Sequence, residues 1–177
     1  TFAKEIDRLV IYSLVGPAAI VTLNTISKVP EIIKDFFKMV VRYFYPRLSI
    51  QKKYTRNLRK LFFYVDFINI LLIIIFGLLI YPILFKLLFN EKFYEYILYS
   101  QILLFTIVLA NNVILKNFFF KSQLDIKSYS VSLIFPSVIK IFLSIILIIK
   151  FGLTGAVISI VLYRIFNTIL SEKLINN

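Results

Sequence analysis

Hydrophobic positions gather into six stretches along this chain, Leu9 to Ser27, Pro30 to Leu48, Leu61 to Phe85, Tyr96 to Leu115, Tyr129 to Ile149 and Leu153 to Leu170. At about 1.5 Å of rise per residue, some 20 residues of helix cover the roughly 30 Å of a bilayer's hydrocarbon core. The pattern therefore predicts an all-α polytopic membrane bundle, with spans 9–27, 30–48, 61–85, 96–115, 129–149 and 153–170. The connections are short. The longest, Ser49 to Lys60, is basic and amphipathic, as suits a segment resting on a membrane surface. No loop is long enough for a separate catalytic domain.

The second stretch departs from this apolar plan. Between Glu31 and Tyr45 it carries Glu31, Lys34, Asp35, Lys38 and Arg42. A helical advance of about 100° per residue places all five within an arc of roughly 100°. The remaining circumference is apolar, from Ile32 and Ile33 to Val41 and Phe44. A cationic amphipathic helix can lie at an interface, but this one is also long enough, at about 33 Å, to cross. If it crosses, several charges facing lipid would cost on the order of 10 kcal/mol, so the ionic face must line a polar cavity. Spacing of i,i+3 allows Glu31 to pair with Lys34, and Asp35 with Lys38. Arg42 has no such acid. Its guanidinium fork suits an anion that offers two oxygens, as phosphate does.

Composition supports the membrane reading: 60% of residues are hydrophobic and mean hydropathy is +0.88. Cysteine and histidine are both absent. That excludes disulfides, thiolate or imidazole metal ligands, and His-dependent nucleophilic catalysis. No catalytic residue, metal site or cofactor is expected. The net charge of +12 would suggest nucleic acid for a soluble domain. Here the cations lie between apolar spans, where topology and anionic lipid account for them. Lys4, Arg8, Arg47, Lys52, Lys53, Arg56, Arg59, Lys60, Lys116, Lys121, Lys127 and Lys173 fall on one side, with only Lys28, Lys86, Lys92 and Lys150 on the other. The positive-inside rule then places both ends of the chain in the cytoplasm. Thr1 opens the chain and Met39 is its only methionine, so residues 1–177 read as a fragment of a larger protein.

Further polar positions interrupt the other spans. Ser130, Ser137, Lys140 and Ser144 share an arc of about 80°, with Lys140 deep enough to favour a cavity over snorkelling. Arg164 either snorkels or joins that cavity. Asp66 and Asn69, at i,i+3, suit a cation or proton site or a structural ion pair. Asn111, Asn112 and Lys116 are expected at the end of the fourth span. Gly16-Pro17, and Gly77 with Pro82, predict kinks.

Asp7-Arg8-Leu9-Val10-Ile11, Lys28-Val29-Pro30-Glu31, Phe44-Tyr45-Pro46-Arg47-Leu48-Ser49 and Gly152-Leu153-Thr154-Gly155-Ala156-Val157 follow one another at set places among the spans. In that order the chain resembles the C-terminal half of bacterial polysaccharide repeat-unit flippases. These are the Wzx-type members of the multidrug/oligosaccharidyl-lipid/polysaccharide exporter superfamily. The resemblance implies one six-helix lobe of a two-lobe transporter in the bacterial cytoplasmic membrane, completed by an N-terminal lobe. It also implies flipping of undecaprenyl-diphosphate-linked oligosaccharide for surface polysaccharide, coupled to a sodium or proton gradient. On that reading Arg42, Lys38, Lys34, Lys140 and Arg164 attract the diphosphate. Asp35, Glu31, Asp66 and Asn69 serve the cavity and ion coupling, and Tyr12, Tyr43, Asn69 and Asn111 contact sugar. The alternatives are a cation-coupled drug exporter, a membrane-embedded enzyme, or a structural subunit of polysaccharide assembly.

Overall fold

A computed structural model describes the backbone of residues 2–49 and 56–176 and the side chains of 8–43 and 56–175. Arg47, Lys52, Lys53 and most of the expected surface segment therefore lie outside the described side chains. The described residues are helical almost throughout and include no strand.

Helix α1, Phe2–Leu14, ends where Val15 and Gly16 both donate to the Ile11 carbonyl, at 2.9 and 3.1 Å. Gly16 takes φ +104°, a conformation costly for residues with a Cβ. Pro17 then opens α2, Pro17–Ser49, its fixed φ suiting a first helical position. The expected division near Lys28 does not occur: the helix breaks at Val15–Gly16 and runs unbroken through Pro30. Proline lacks an N–H, which orphans the Ile26 carbonyl one turn back. The buried Ser100 hydroxyl donates to that carbonyl and bonds Tyr81 Oη as well. A neighbouring helix has thus repaired the defect that would otherwise end α2.

A similar repair holds the third stretch together. Helix α3, Arg56–Ile75, widens into a π turn at Phe76–Ile80 and continues as α4, Tyr81–Leu88. In the π register Tyr81 N–H bonds the Phe76 carbonyl, so the next bond would run from residue 82 to Gly77. Pro82 has no N–H to give. Gln101 Nε2 supplies it instead, at 3.1 Å from the Gly77 carbonyl. The chain turns at Phe89–Asn90, passes through a 3-10 segment, Glu91–Tyr96, and forms α5, Ile97–Phe105, and α6, Ile107–Ser122, which are separated at Thr106.

Asp125 then caps α7, Ile126–Asn176, by accepting the Ser128 N–H at 3.0 Å. Bonds from Ser128 hold this carboxyl below its ordinary value. A depressed folded value stabilises above the unfolded pKa and is lost as pH falls through the folded one. Asp125→Ala should therefore lose about 1 kcal/mol at neutral pH. In thermal melts that gap should close in acid, where the wild-type cap is protonated; a gap independent of pH would contradict the assignment.

Helix α7 is two limbs, not one rod. Gly152, at φ +55°, reverses the chain. Ser144 Oγ lies 3.2 Å from Ser159 Oγ, and the Phe135 and Phe166 rings are 5.9 Å apart. Fifteen residues of straight helix would instead separate the serines by roughly 22 Å. The hairpin packs the limbs back to back, with Ile148, Ala156 and Val157 joining Ile11, Leu23, Ile26 and Leu103 in one core cluster. At the opposite end Val41, Leu58, Phe62, Leu115 and Phe119 form another.

The outside is greasy. Phe63, Leu79 and Leu87 are 66%, 66% and 82% exposed, far from isolated cases. Such a continuous apolar exterior is untenable in water and natural in lipid. Three helical stretches, Arg56–Leu88, Glu91–Ser122 and Ile126–Ile175, are long and apolar enough to cross a membrane. They are compatible with a multi-pass membrane protein.

Candidate functional site

Helix α2 sorts its side chains onto three faces. Val29, Ile33, Phe37 and Val41 pack into the cores. Ile32, Phe36, Met39 and Tyr43 are exposed on the apolar outside. Glu31, Lys34, Asp35, Lys38 and Arg42 line a cavity of about 770 Å³. Its other walls come from α1, α5, α6 and both limbs of α7.

Seven cationic side chains, Arg8, Lys34, Lys38, Arg42, Lys121, Lys140 and Arg164, face this space against two acids, Glu31 and Asp35, leaving a net of +5. The cavity thus gathers all five nominated cations together with both α2 acids. Arg8 and Lys121 join them, although neither lies on the ionic face of α2. Their place in the wall depends on which helices neighbour α2, and sequence periodicity does not report that.

Each cation is held differently. Among the described residues Arg42, Lys38 and Asp35 form no ion pair. The expected Asp35–Lys38 bridge is therefore absent, both side chains being exposed to the open cavity rather than forced together. Lys140 is buried, its ammonium 5.6 Å above the centre of the Tyr163 ring. The hairpin register sets that cation–π contact, which shelters a charge that lipid would not tolerate. Arg164 neither snorkels nor stands open. Its Nη1 donates to the Leu103 carbonyl at 2.8 Å and Thr106 Oγ1 at 2.6 Å, so it pins the break between α5 and α6. Glu31 adds an attractive field there. Arg164 is thus a cavity-wall residue with its Nη1 donors committed to the fold.

The remaining nominations fall elsewhere. Asp66 and Asn69 are outside the cavity wall, in a polar cluster with Asn111, Asn112, Lys116 and Glu172. Lys116, expected at a span end, is 2% exposed and paired with Glu172. Tyr12 and Tyr43 are 59% and 78% exposed and do not reach the cavity. Its polar but uncharged lining consists instead of Asn24, Ser27, Asn117, Tyr129, Ser137, Tyr163 and Asn167. Asn167 is 7% exposed, with its Oδ1 unpartnered.

Fold and site together define a class: an all-helical chain, compatible with a multi-pass membrane protein, built around a cationic cavity. Comparison with models of protein families, with curated proteins and with solved structures finds no match.

Proposed function

We propose that this chain is one lobe of a transporter that flips diphosphate-linked oligosaccharides, carried on a polyprenyl lipid, across a bacterial cytoplasmic membrane for surface polysaccharide synthesis. The observation that supports it is the net +5 lining of the open cavity between the helices. A diphosphate concentrates negative charge in a small head, and its lipid tail can stay in the bilayer while the head crosses a polar path. Lys34, Lys38 and Arg42 attract the head, and Glu31 and Asp35 temper the field so that it can leave. The neutral polar lining offers hydrogen bonds to sugar. An organic cation would meet repulsion in the same space, which sets a drug exporter below this reading. Six crossing elements, cytoplasmic ends and a second lobe supplying alternating access complete the proposal.

Headgroup translocation by the intact parent protein in proteoliposomes tests it. Arg42→Ala should lower the rate at least about tenfold, the loss of roughly 1.4 kcal/mol of anion stabilisation. Arg42→Lys should recover part of it by charge alone. Full activity of a well-expressed Arg42→Ala protein would sink the diphosphate role.

A further inference from the structure

Helix α3 opens with its cations on the side that faces away from the bundle. Leu58, Phe62 and Val65 pack inward, into the core cluster they share with Val41 and Phe119. About 100° of turn per residue then gathers Arg56, Arg59, Lys60, Phe63 and Tyr64 within an arc of roughly 140° on the outer side. These five line an open recess of about 330 Å³. All are exposed, Phe63 by 66% and Tyr64 by 60%. The Phe63 and Tyr64 rings meet edge to face, their centroids 6.2 Å apart, one turn beyond the cations.

The recess carries three positive charges and no acid. Among the described residues the side chains of Arg56, Arg59 and Lys60 form no hydrogen bond or ion pair, so no described group competes for their donors. Lys116 and Arg164, by contrast, are committed within the bundle. No residue of α3 lines the +5 cavity, so the charge on this helix addresses something else.

Beyond the aromatic pair the same outer side turns apolar: Phe67, Ile70, Leu71 and Ile74 are 57%, 39%, 51% and 42% exposed. From Tyr64 to Ile74 the helix rises about 15 Å, the hydrocarbon depth of one leaflet. Cations, aromatic rings and an apolar strip thus follow one another along one face of one helix. A phospholipid has the same order, with phosphate, interface and acyl chain in turn. A free anion would use the cations alone and have no use for the strip below them.

We propose that this face of α3 holds one anionic phospholipid of the surrounding bilayer, its phosphate in the recess and its acyl chains along Phe67 and Ile74. The guanidinium forks of Arg56 and Arg59 present paired donors to phosphate oxygens, and Lys60 adds a point charge. Selection is by headgroup charge. Phosphatidylethanolamine brings an ammonium that three cations repel, whereas phosphatidylglycerol brings none. The side chains on the flank of α3 make the site, and it requires a bilayer but not the transport proposed for the cavity.

Native mass spectrometry of the delipidated intact parent protein, titrated in detergent with phosphatidylglycerol or phosphatidylethanolamine, tests this. The first phosphatidylglycerol should bind wild type at least about tenfold more tightly than the Arg56→Gln/Arg59→Gln/Lys60→Gln variant. Phosphatidylethanolamine should bind the two alike. Lys127 and Lys173 are exposed outside the recess, so Lys127→Gln/Lys173→Gln should bind as wild type does. Equal phosphatidylglycerol binding by wild type and the triple variant would overturn the proposal. So would an equal loss in the Lys127/Lys173 variant, which would show diffuse attraction only, or displacement of the lipid by inorganic phosphate, which would assign a free-anion site. If the triple variant does not fold, wild type in rising salt decides: phosphatidylglycerol occupancy should fall while that of phosphatidylethanolamine holds. Phosphatidylglycerol binding indifferent to salt would refute the charged recess.

Discussion

Gly155→Ala should destabilise the protein by about 2 kcal/mol or more, although alanine is the better helix former by about 1 kcal/mol. A Cβ at 155 would fall inside the van der Waals envelope of the Leu147 carbonyl oxygen and carbon, on the opposite limb of α7. Backbone cannot rotate away as a side chain can, so the limbs must part. The Ser144–Ser159 contact and the Lys140–Tyr163 contact, set by the same hairpin register, should loosen with them. Gly77 supplies the comparison. There a new Cβ would meet Phe105 Cε1 at 2.7 Å, the far edge of a ring that can turn. Gly77→Ala should thus cost less than Gly155→Ala in thermal unfolding of the detergent-solubilised protein. The hairpin packing would be refuted by Gly155→Ala melting with the wild type.

Arg164→Ala should be comparably severe, on the order of 3 kcal/mol, because it removes two hydrogen bonds from a charged donor at once. The Leu103 carbonyl and Thr106 hydroxyl sit at the break between α5 and α6, where the helix can least afford to lose bonding. Arg164→Lys keeps the charge but not the planar fork, so it should recover only part of the stability. Hydrogen exchange separates this role from a general loss of fold: amides around residues 103–107 should lose protection first. Unchanged exchange there in Arg164→Ala would show that the pin is dispensable.

Helical periodicity made the ionic face of α2 legible, since five charges within roughly 100° leave little choice of surface. The same arithmetic could not reveal Arg8 or Lys121, whose importance lies in standing across from that face. Proline and glycine marked irregularities correctly without telling their outcome. Gly16-Pro17 ended a helix, Pro82 lies in a π register with Gln101 at its orphaned carbonyl, and Pro30 left a helix intact with the Ser100 hydroxyl at its own. Asp66 and Asn69 read as neighbours one turn apart. That they bond Asn112 and Asn111, rather than facing the cavity, is a matter of inter-helix register.

By itself the sequence determined a helical, lipid-compatible chain with one ionic stripe, because hydropathy and the 3.6-residue period are local properties of the string. Tertiary structure alone decided where helices break, which cations share the cavity, and which polar atoms are left unpartnered. Those outcomes depend on a side chain from one helix reaching the backbone or charge of another, across distances that local pattern does not encode.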